Sequence, residues 1–176
     1  VIRSNALLQR HDQQLTGDRI ELSHKGDIGG MKSDWSAGLD YSKNKQTRFP
    51  RSLSATVSTV NPINFTTENF FDVKDMKPGF TPDRTNKVAT TALFLENRTY
   101  LAKPLSLVTG LRHDRIKLEG INHLAASATN PAYFSNTYTP TTGRIGLVYD
   151  ITPTASAYVQ YSTAADPPAG ILTTAS

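Results

Sequence analysis

The 176-residue chain contains no cysteine and no long apolar run, and the two absences exclude different classes of protein. Without cysteine there is no disulfide, no thiolate nucleophile and no thiolate-ligated metal. No stretch approaches the roughly 18 apolar residues that a transmembrane helix needs. A membrane protein is still possible, because a strand of a transmembrane β-barrel needs only about 10 residues and gives a weak hydropathy signal.

Patterns typical of catalysis, metal binding and nucleic-acid binding are missing as well. The formal net charge is only +4, and the basic residues are scattered, whereas nucleic-acid binding favours a basic stripe with interleaved aromatic residues. The sequence has no Gly-x-Ser-x-Gly motif that would hold a nucleophile. Its histidines lack the spacing of metal ligands; they are His11, His24, His113 and His123. We therefore expect no enzymatic step, no bound nucleic acid, no metal site and no resident cofactor.

The chain does contain short runs in which apolar and polar residues alternate, separated by turns. In Ala155–Ser162 the apolar and aromatic residues of every second position share one side, and a turn at 150–154 joins this run to Arg144–Tyr149. Two structures fit such a hairpin. One is a transmembrane β-barrel with an apolar outside, and the alternative is a soluble β-sandwich that binds a ligand or mediates adhesion.

The two structures differ in the environment of the apolar face. In a barrel these residues face lipid, and in a sandwich they form a buried core. The residues that decide between them are Leu105, Leu107, Leu111, Ala157, Val159 and Tyr161.

The pattern as a whole predicts an all-β, antiparallel meander, since no segment has a convincing helical period. Strands are predicted at Val1–Gln9, Asp18–His24, Lys32–Ser42, Val88–Tyr100 and Leu105–Gly120, followed by the final hairpin. Residues 44–86 and 121–140 are predicted to be long polar loops. Short turns therefore alternate with long loops, which is the arrangement of outer-membrane barrels with short periplasmic turns and long extracellular loops.

Three stretches resemble strands of the TonB-dependent siderophore receptors of the bacterial outer membrane. Gly110–Asp114 reads Gly-Leu-Arg-His-Asp and is similar to a Gly-Leu-Arg-Tyr-Asp strand of that family. Thr139–Tyr149 is similar to a strand in which Thr and Pro lead into Arg, Gly, Leu, Val and Tyr. Thr152–Ser162, followed by Pro167 and Pro168, resembles the next strand and the entry to its loop.

This resemblance implies that residues 1–176 form a partial β-barrel domain of a large, 22-stranded transmembrane barrel. It implies that the complete receptor lies in the bacterial outer membrane, binds a ferric siderophore outside and imports it. The implied partners are membrane lipid and the TonB complex, which acts through an N-terminal region. Because both ends of the sequence look cut, we expect a piece of a longer chain in which the plug domain and the closing strand are absent.

Candidate site residues follow from the two faces and from the loops. Arg112 and Asp114 share the polar side of their strand and are predicted to line the lumen, although a solvated sheet surface with paired charges is the alternative. For ligand contact the first candidates are Tyr133, Phe134 and Tyr138, near the end of one loop, and the second are Phe70 and Phe71. Aromatic side chains suit the organic shell of a chelate, but they also serve to anchor loops.

Overall fold

The computed structural model describes residues 6–50, 52–54, 61–64, 66, 72, 79–124, 126–127 and 131–165. This part of the chain contains β-strands and no α-helix. None of its residues belongs to a helix with the length and hydropathy that crossing a membrane would require. The strands are β1 (Ala6–Leu8), β2 (His11–Ile28), β3 (Met31–Arg48), β4 (Ser52–Ser54), β5 (Arg84–Ala102), β6 (Leu105–Asn122), β7 (Tyr133–Tyr138), β8 (Thr141–Thr152) and β9 (Ala155–Ser162).

The long strands form one sheet in the order β2-β3-β5-β6-β8-β9, with β7 also paired to β6, while β1 pairs with β4. Tight turns join β2 to β3, β5 to β6 and β8 to β9. Gly29 and Gly30 form the first turn with φ of 56° and 82°, the left-handed conformation that two-residue type I′ hairpin turns require. The predicted antiparallel all-β meander is therefore confirmed.

The strands extend further than the apolar pattern predicted. The segment predicted as Asp18–His24 is an 18-residue strand, β2, and β3 continues to Arg48, inside the predicted loop. Backbone pairing continues where side chains are polar on both faces, so hydrophobic alternation underestimates strand length. Of the strand predicted at residues 1–9, the described part forms β1, and residues 1–5 lie outside the described residues.

The prediction of a loop throughout residues 121–140 was wrong, because these residues include β7. Its sequence Tyr-Phe-Ser-Asn-Thr-Tyr combines aromatic and β-branched residues that favour strands. Backbone hydrogen bonds continue the pairing beyond its first residue, since the Asn122 N–H donates to the Ala132 carbonyl at 2.9 Å. Three of the candidate ligand residues therefore lie in a strand.

The chain divides into two compact units. The first, here the loop-side unit, comprises Val1–Gln14, Lys45–Asn86 and Glu119–Phe134; the second, the turn-side unit, comprises Leu15–Asn44, Lys87–Leu118 and Ser135–Ser176. In the turn-side unit the pairing of β6 with β8 and of β8 with β9 sets Leu107 opposite Leu147 and Leu147 opposite Val159. These residues share one face of the sheet, which we call the apolar face.

The apolar face of the turn-side unit is exposed. Leu111, Val159 and Tyr161 are 57%, 67% and 71% exposed, Ala157 is exposed, and Leu105 and Leu107 are partly exposed. A soluble sandwich would bury all six, and none of the six is buried among the residues that the structure describes. The exposed apolar face also includes Ile20, Leu22, Leu39, Tyr41, Leu93, Leu95, Leu101, Ile145, Leu147, Tyr149 and Ile151.

The loop-side unit is held together by polar contacts between the strand ends. The Arg48 Nε donates to both carboxylate oxygens of Asp83, at 3.0 and 3.2 Å, and the Asp83 N–H donates to the Arg48 carbonyl at 3.0 Å. The two side chains are only 17% and 10% exposed. Phe49 is buried beneath the Arg10 guanidinium, 4.5 Å from its ring centroid. These contacts join the end of β3 to the residue that precedes β5.

Candidate functional site

The opposite face of the turn-side unit carries a set of paired charges, here called the charged face. Side chains alternate along a strand, so Arg112 and Asp114 point away from the side on which Leu111 lies. The other members occupy neighbouring strands, where they contact these two residues or each other. The charged face consists of Arg19, Glu21, Asp40, Glu96, Arg112, Asp114 and Arg144.

Arg112 is held by two carboxylates. Its Nε donates to both oxygens of Asp114, at 3.0 and 3.1 Å, and its Nη1 contacts Asp40 Oδ2. Asp40 lies on β3, which β5 separates from β6, so the guanidinium reaches across an intervening strand. Asp114 is only 9% exposed, so removing Arg112 would leave a buried carboxylate without its partner.

Arg19 extends the same arrangement to β2. Its guanidinium donates to Glu21 Oε2 at 2.8 Å and lies 3.7 Å from Asp40 Oδ1. It also lies over the ring of Phe94, 4.3 Å from the centroid, which adds a cation–π contact. The Ser36 hydroxyl donates to Glu21 Oε1 at 2.5 Å. Arginine and acidic side chains thus alternate across three strands.

Arg144 of β8 pairs with Glu96 of β5 at 2.8 Å, across β6. Its partner in the β6 register is Gly110. A Cβ at Gly110 would lie 3.0 Å from both Cγ and Nε of Arg144. Because glycine has no side chain, the arginine has room to cross β6 at this position. An open depression of about 220 Å³ lies here. Its lining includes Phe94, Glu96, Gly110, Arg112, Thr142 and Arg144.

The chemistry of the charged face is that of fixed, mutually neutralised charges. Each of its arginines contacts at least one carboxylate. Its members are arginine and carboxylate side chains, and no group of three or more acidic or histidine side chains among the described residues could hold a metal ion. Such a surface fixes strand positions and presents polar groups on this face of the sheet.

The aromatic ligand candidates do not form one surface. Tyr133 and Phe134 are adjacent in β7 and therefore point to opposite faces, and Tyr138 shares the face of Phe134. The Tyr133 hydroxyl donates to Glu119 Oε1 at 2.7 Å, and the residue is 52% exposed. The Phe134 ring occupies the position where a side chain of Gly120 would lie. Phe70 and Phe71 lie outside the described residues.

Sequence reasoning placed Arg112 and Asp114 on one side of their strand but missed their partners. Asp40, Arg19, Glu96 and Arg144 come from other strands, and pairing across an intervening strand is invisible without the register. One signal was available, because Gly38-Leu39-Asp40 and Gly110-Leu111-Arg112 both place glycine two residues before a charged member. A Cβ at Gly38 would collide with the Phe94 ring on which Arg19 stacks.

Comparison with known proteins gives consistent results. The family model described as "TonB dependent receptor-like, beta-barrel" matches residues 3–176. The "Probable TonB-dependent siderophore receptor PiuA" of Acinetobacter baumannii is 25% identical over 174 residues, which cover 89% of this chain and 23% of the relative.

Two solved structures share the fold. The open form of the ferric-catecholate import receptor Fiu of E. coli K12 has a TM-score of 0.62 at 15% identity, covering 91% of this chain and 26% of that chain. The unliganded ferric citrate transporter FecA has a TM-score of 0.65 at 14% identity, covering 91% and 21%. The chain thus spans about a quarter of the length of the proteins it matches.

Proposed function

The chain belongs to the family of TonB-dependent receptor β-barrels, and we propose that it is part of an outer-membrane receptor that binds a ferric siderophore and imports it. The family is one of transport receptors rather than enzymes. Iron enters this proposal as cargo inside its chelate, and neither an enzymatic step nor a resident cofactor is invoked.

The observation that carries the proposal is the contrast between the two faces of the turn-side unit. From Leu93 to Leu101, both on the apolar face, β5 advances about 26 Å at roughly 3.3 Å per residue. With the 35–45° tilt of barrel strands, this corresponds to roughly 20 Å along the membrane normal, close to the apolar band of about 25 Å in outer-membrane barrels. The charged face lies behind this band and lines the lumen in our proposal.

The substrate class is supported by the relatives. One carries the name of a siderophore receptor, and the structural neighbours are a ferric-catecholate receptor and a ferric citrate transporter. A ferric chelate brings its own ligands for iron, so the protein needs only polar and aromatic groups that contact the organic shell. The proposed contacts are Tyr133, Phe134 and Tyr138, then Phe70 and Phe71, with Arg112 and Asp114 lining the lumen.

The energy for import comes, in this proposal, from the TonB complex. It would act through the plug domain that the family resemblance implies. Arg112 and Arg144 of the charged face already pair with carboxylates of this chain. The role of residues 1–176 is then to form wall and loops: lipid contact outside, polar contact inside, and chelate contact at the loop-side strand ends.

Growth and fractionation test the proposal directly. The full-length protein is expressed in a bacterium that lacks its own iron receptors, with ferric citrate or a ferric catecholate as sole iron source. We expect the protein in the outer-membrane fraction and TonB-dependent growth on at least one chelate type. Recovery of the full-length protein in a soluble fraction, or growth that is equal without TonB, would contradict the proposal.

A further inference from the structure

Three polar side chains interrupt the apolar face of the turn-side unit where β3 lies beside β5. Ser33 lies on the apolar side of β3, and Asn97 and Thr99 lie on that side of β5 between Leu95 and Leu101. All three are buried, whereas the two leucines are 44% and 40% exposed. We call Ser33, Asn97 and Thr99 the polar cluster. A buried polar group has to find its hydrogen-bond partner within the protein.

The polar cluster forms a closed cycle of hydrogen bonds. Asn97 Nδ2 donates to Ser33 Oγ at 2.5 Å, and the Thr99 hydroxyl donates to Asn97 Oδ1 at 2.6 Å. Ser33 Oγ and Thr99 Oγ1 are 3.4 Å apart, and Ser33 is the donor because the proton of Thr99 points to Asn97. The second proton of Asn97 Nδ2 goes to the Asp34 carbonyl at 3.3 Å. Every N–H and O–H donor of the three side chains therefore has an acceptor.

The chain connection between β3 and β5 does not set how these two strands pair. Tight turns join β2 to β3 and β5 to β6, and the turn of a hairpin fixes the register of its strands. β3 and β5 are joined through residues 49–83, a connection long enough to allow several registers. Their pairing in the turn-side unit therefore has to be specified by side chains.

The apolar and the charged side chains around this pairing do not specify its register sharply. A shift of one residue would turn the apolar side chains to the other face. A shift of two residues keeps both faces and exchanges one apolar neighbour for another, and hydrophobic contact is not directional. On the charged face, long side chains such as Arg112 reach across a whole strand, here to Asp40, and can follow such a shift.

The polar cluster is sensitive to a shift of two residues. Such a shift moves Ser33 about 7 Å along β5. Because Asn97 and Thr99 are themselves two residues apart, Ser33 then loses contact with at least one of them, and these short side chains cannot span the gap. The opened cycle leaves buried donors or acceptors without a partner, and this penalty exceeds the net gain from a typical hydrogen bond.

We infer that the polar cluster determines the register in which the hairpin of β2 and β3 pairs with the hairpin of β5 and β6 during assembly of the barrel wall. The inference goes beyond the proposed function, because chelate import requires no hydrogen-bonded cycle on the apolar face. The cluster contributes specificity more than stability. Apolar residues of the same shape would pack as well, but they would accept both registers.

Disulfide cross-linking between β3 and β5 measures the register. Residues 1–176 contain no cysteine, and the test uses the full-length receptor with any cysteine elsewhere replaced by serine. Because Ser33 and Thr99 are in contact on antiparallel strands, Ala37 lies beside Leu95, four residues further along each strand. The pair Ala37→Cys with Leu95→Cys reports the native register, and Leu39→Cys with Leu95→Cys reports a shift of two residues. In the wild-type background the first pair should cross-link in large excess over the second.

The decisive variant replaces the whole polar cluster by apolar residues of similar shape, Ser33→Ala, Asn97→Leu and Thr99→Val. It should unfold at the same urea concentration as the wild type, because both sides of each hydrogen bond are removed together. The ratio of native to shifted cross-link should fall about tenfold or more, because the buried groups that penalise the shifted register are gone. Asn97→Leu alone should lower the unfolding midpoint, since two buried hydroxyls lose their amide partner.

Tyr100→Phe is the matched control. The Tyr100 hydroxyl donates to Asp34 Oδ2 at 2.9 Å, so this variant also removes a hydrogen bond between β3 and β5, but on the other face of the sheet. Its cross-link ratio should equal that of the wild type. Asp83→Asn, which weakens the contact with Arg48 in the loop-side unit, should keep the ratio as well.

The remaining outcomes contradict the inference. An unchanged cross-link ratio in the triple variant would overturn it, and so would failure of that variant to fold, which would make the cluster a source of stability alone. A fall in the ratio of Tyr100→Phe or Asp83→Asn as large as in the triple variant would overturn it too. Chelate import is measured separately, and a wild-type receptor that pairs in one register without importing a ferric chelate would contradict the proposed function alone.

Discussion

Arg144 reaches Glu96 across an entire strand, and it passes over the position in β6 where Gly110 has no side chain. The Nη2–Oε2 distance is 2.8 Å, and Gly110 is the register partner of Arg144. Gly38 has the corresponding role beside Phe94, on which Arg19 stacks. Glycine weakens a strand interior, so its presence at these positions is explained by the side chains that cross it.

Replacing Gly110 by valine should uncouple Arg144 from Glu96, because the new side chain occupies the path of the arginine. The pair is 40% and 46% exposed, so its coupling energy should be at most about 1 kcal/mol. A double-mutant cycle with Arg144→Met and Glu96→Gln, measured by urea unfolding of the full-length receptor, should give about 0.5 kcal/mol in the wild-type background and near zero with Gly110→Val.

Gly143→Ala is the control for this cycle. A Cβ there would have ordinary contacts, at 3.4 Å from the Gly110 carbonyl and 3.8 Å from Leu111. The coupling between Arg144 and Glu96 should survive in this background. A coupling energy that is unchanged by Gly110→Val would show that Arg144 reaches Glu96 without passing over position 110.

An arginine at Leu147 should strongly destabilise the membrane-inserted protein. Leu147 is 40% exposed on the apolar face and lies between Leu107 and Val159 in the pairing. A charge near the bilayer midplane costs roughly 2–4 kcal/mol on the lipid side of a barrel. Folding into lipid vesicles, followed by heat-modifiable gel mobility, measures the cost. Gln160→Arg, on the other face opposite Gly146, should cost less than about 1 kcal/mol, and equal costs would contradict the assignment of faces.

The sequence predicted the two faces of the sheet better than it predicted the ends of the strands and the contacts between side chains. Alternation is a local property, so the exposed positions of Leu111, Val159 and Tyr161 could be found without a structure. The ends of β2 and β3 could not, because the residues there are polar on both sides. β7 was missed for a similar reason, since a run of six residues within a polar stretch gives little periodicity.

The charged face shows a second limit of prediction from the sequence. Arg112 and Asp114 are two residues apart, and their pairing follows from strand geometry alone. Asp40 and Arg112 are separated by 72 positions, and their contact depends on the strand order and on the register of two pairings. In the sequence, the glycines at positions 38 and 110 are the signs that a side chain crosses a neighbouring strand. Their role can be recognised once the register of the strands is known.

Removing the charge of Asp83 should loosen the strand ends of the loop-side unit. Asp83→Asn leaves the Arg48 guanidinium in a largely buried position without its carboxylate. Breaking a buried pair costs about 3–5 kcal/mol, and because Arg48 takes part in a further interaction we expect about 2 kcal/mol here. The amide protons of Phe49 and Asp83, which donate to Arg10 and Arg48 carbonyls, should then exchange roughly 30-fold faster.

The exposed pair of Arg10 and Asp12 provides the comparison. Its side chains are 42% and 48% exposed, so Asp12→Asn should change stability by less than about 1 kcal/mol. Hydrogen exchange measured by mass spectrometry on the full-length receptor distinguishes the two variants. If Asp12→Asn accelerates exchange as much as Asp83→Asn, burial does not set the strength of these pairs.

Tyr133 and Phe134 should respond differently to truncation, because they point to opposite faces of β7. Phe134 covers Gly120, so Phe134→Ala should remove packing and lower stability by about 2–4 kcal/mol, reduced from a full core value by its partial exposure. Tyr133 is half exposed, and its hydroxyl donates a hydrogen bond to Glu119. If it contacts the chelate, Tyr133→Ala should weaken chelate binding by about 1–3 kcal/mol and leave the unfolding midpoint unchanged.

Tyr133→Phe distinguishes the contribution of the ring from that of the hydroxyl. It keeps the aromatic surface and removes the bond to Glu119, so chelate affinity should fall by less than in Tyr133→Ala if the ring makes the contact. Tyr138→Ala, on the face of Phe134, tests whether that side of β7 contributes as well. Fluorescence quenching by ferric chelates gives the affinities, and urea unfolding gives the stabilities. Unchanged affinity in both tyrosine-to-alanine variants would exclude Tyr133 and Tyr138 as contacts of the chelate.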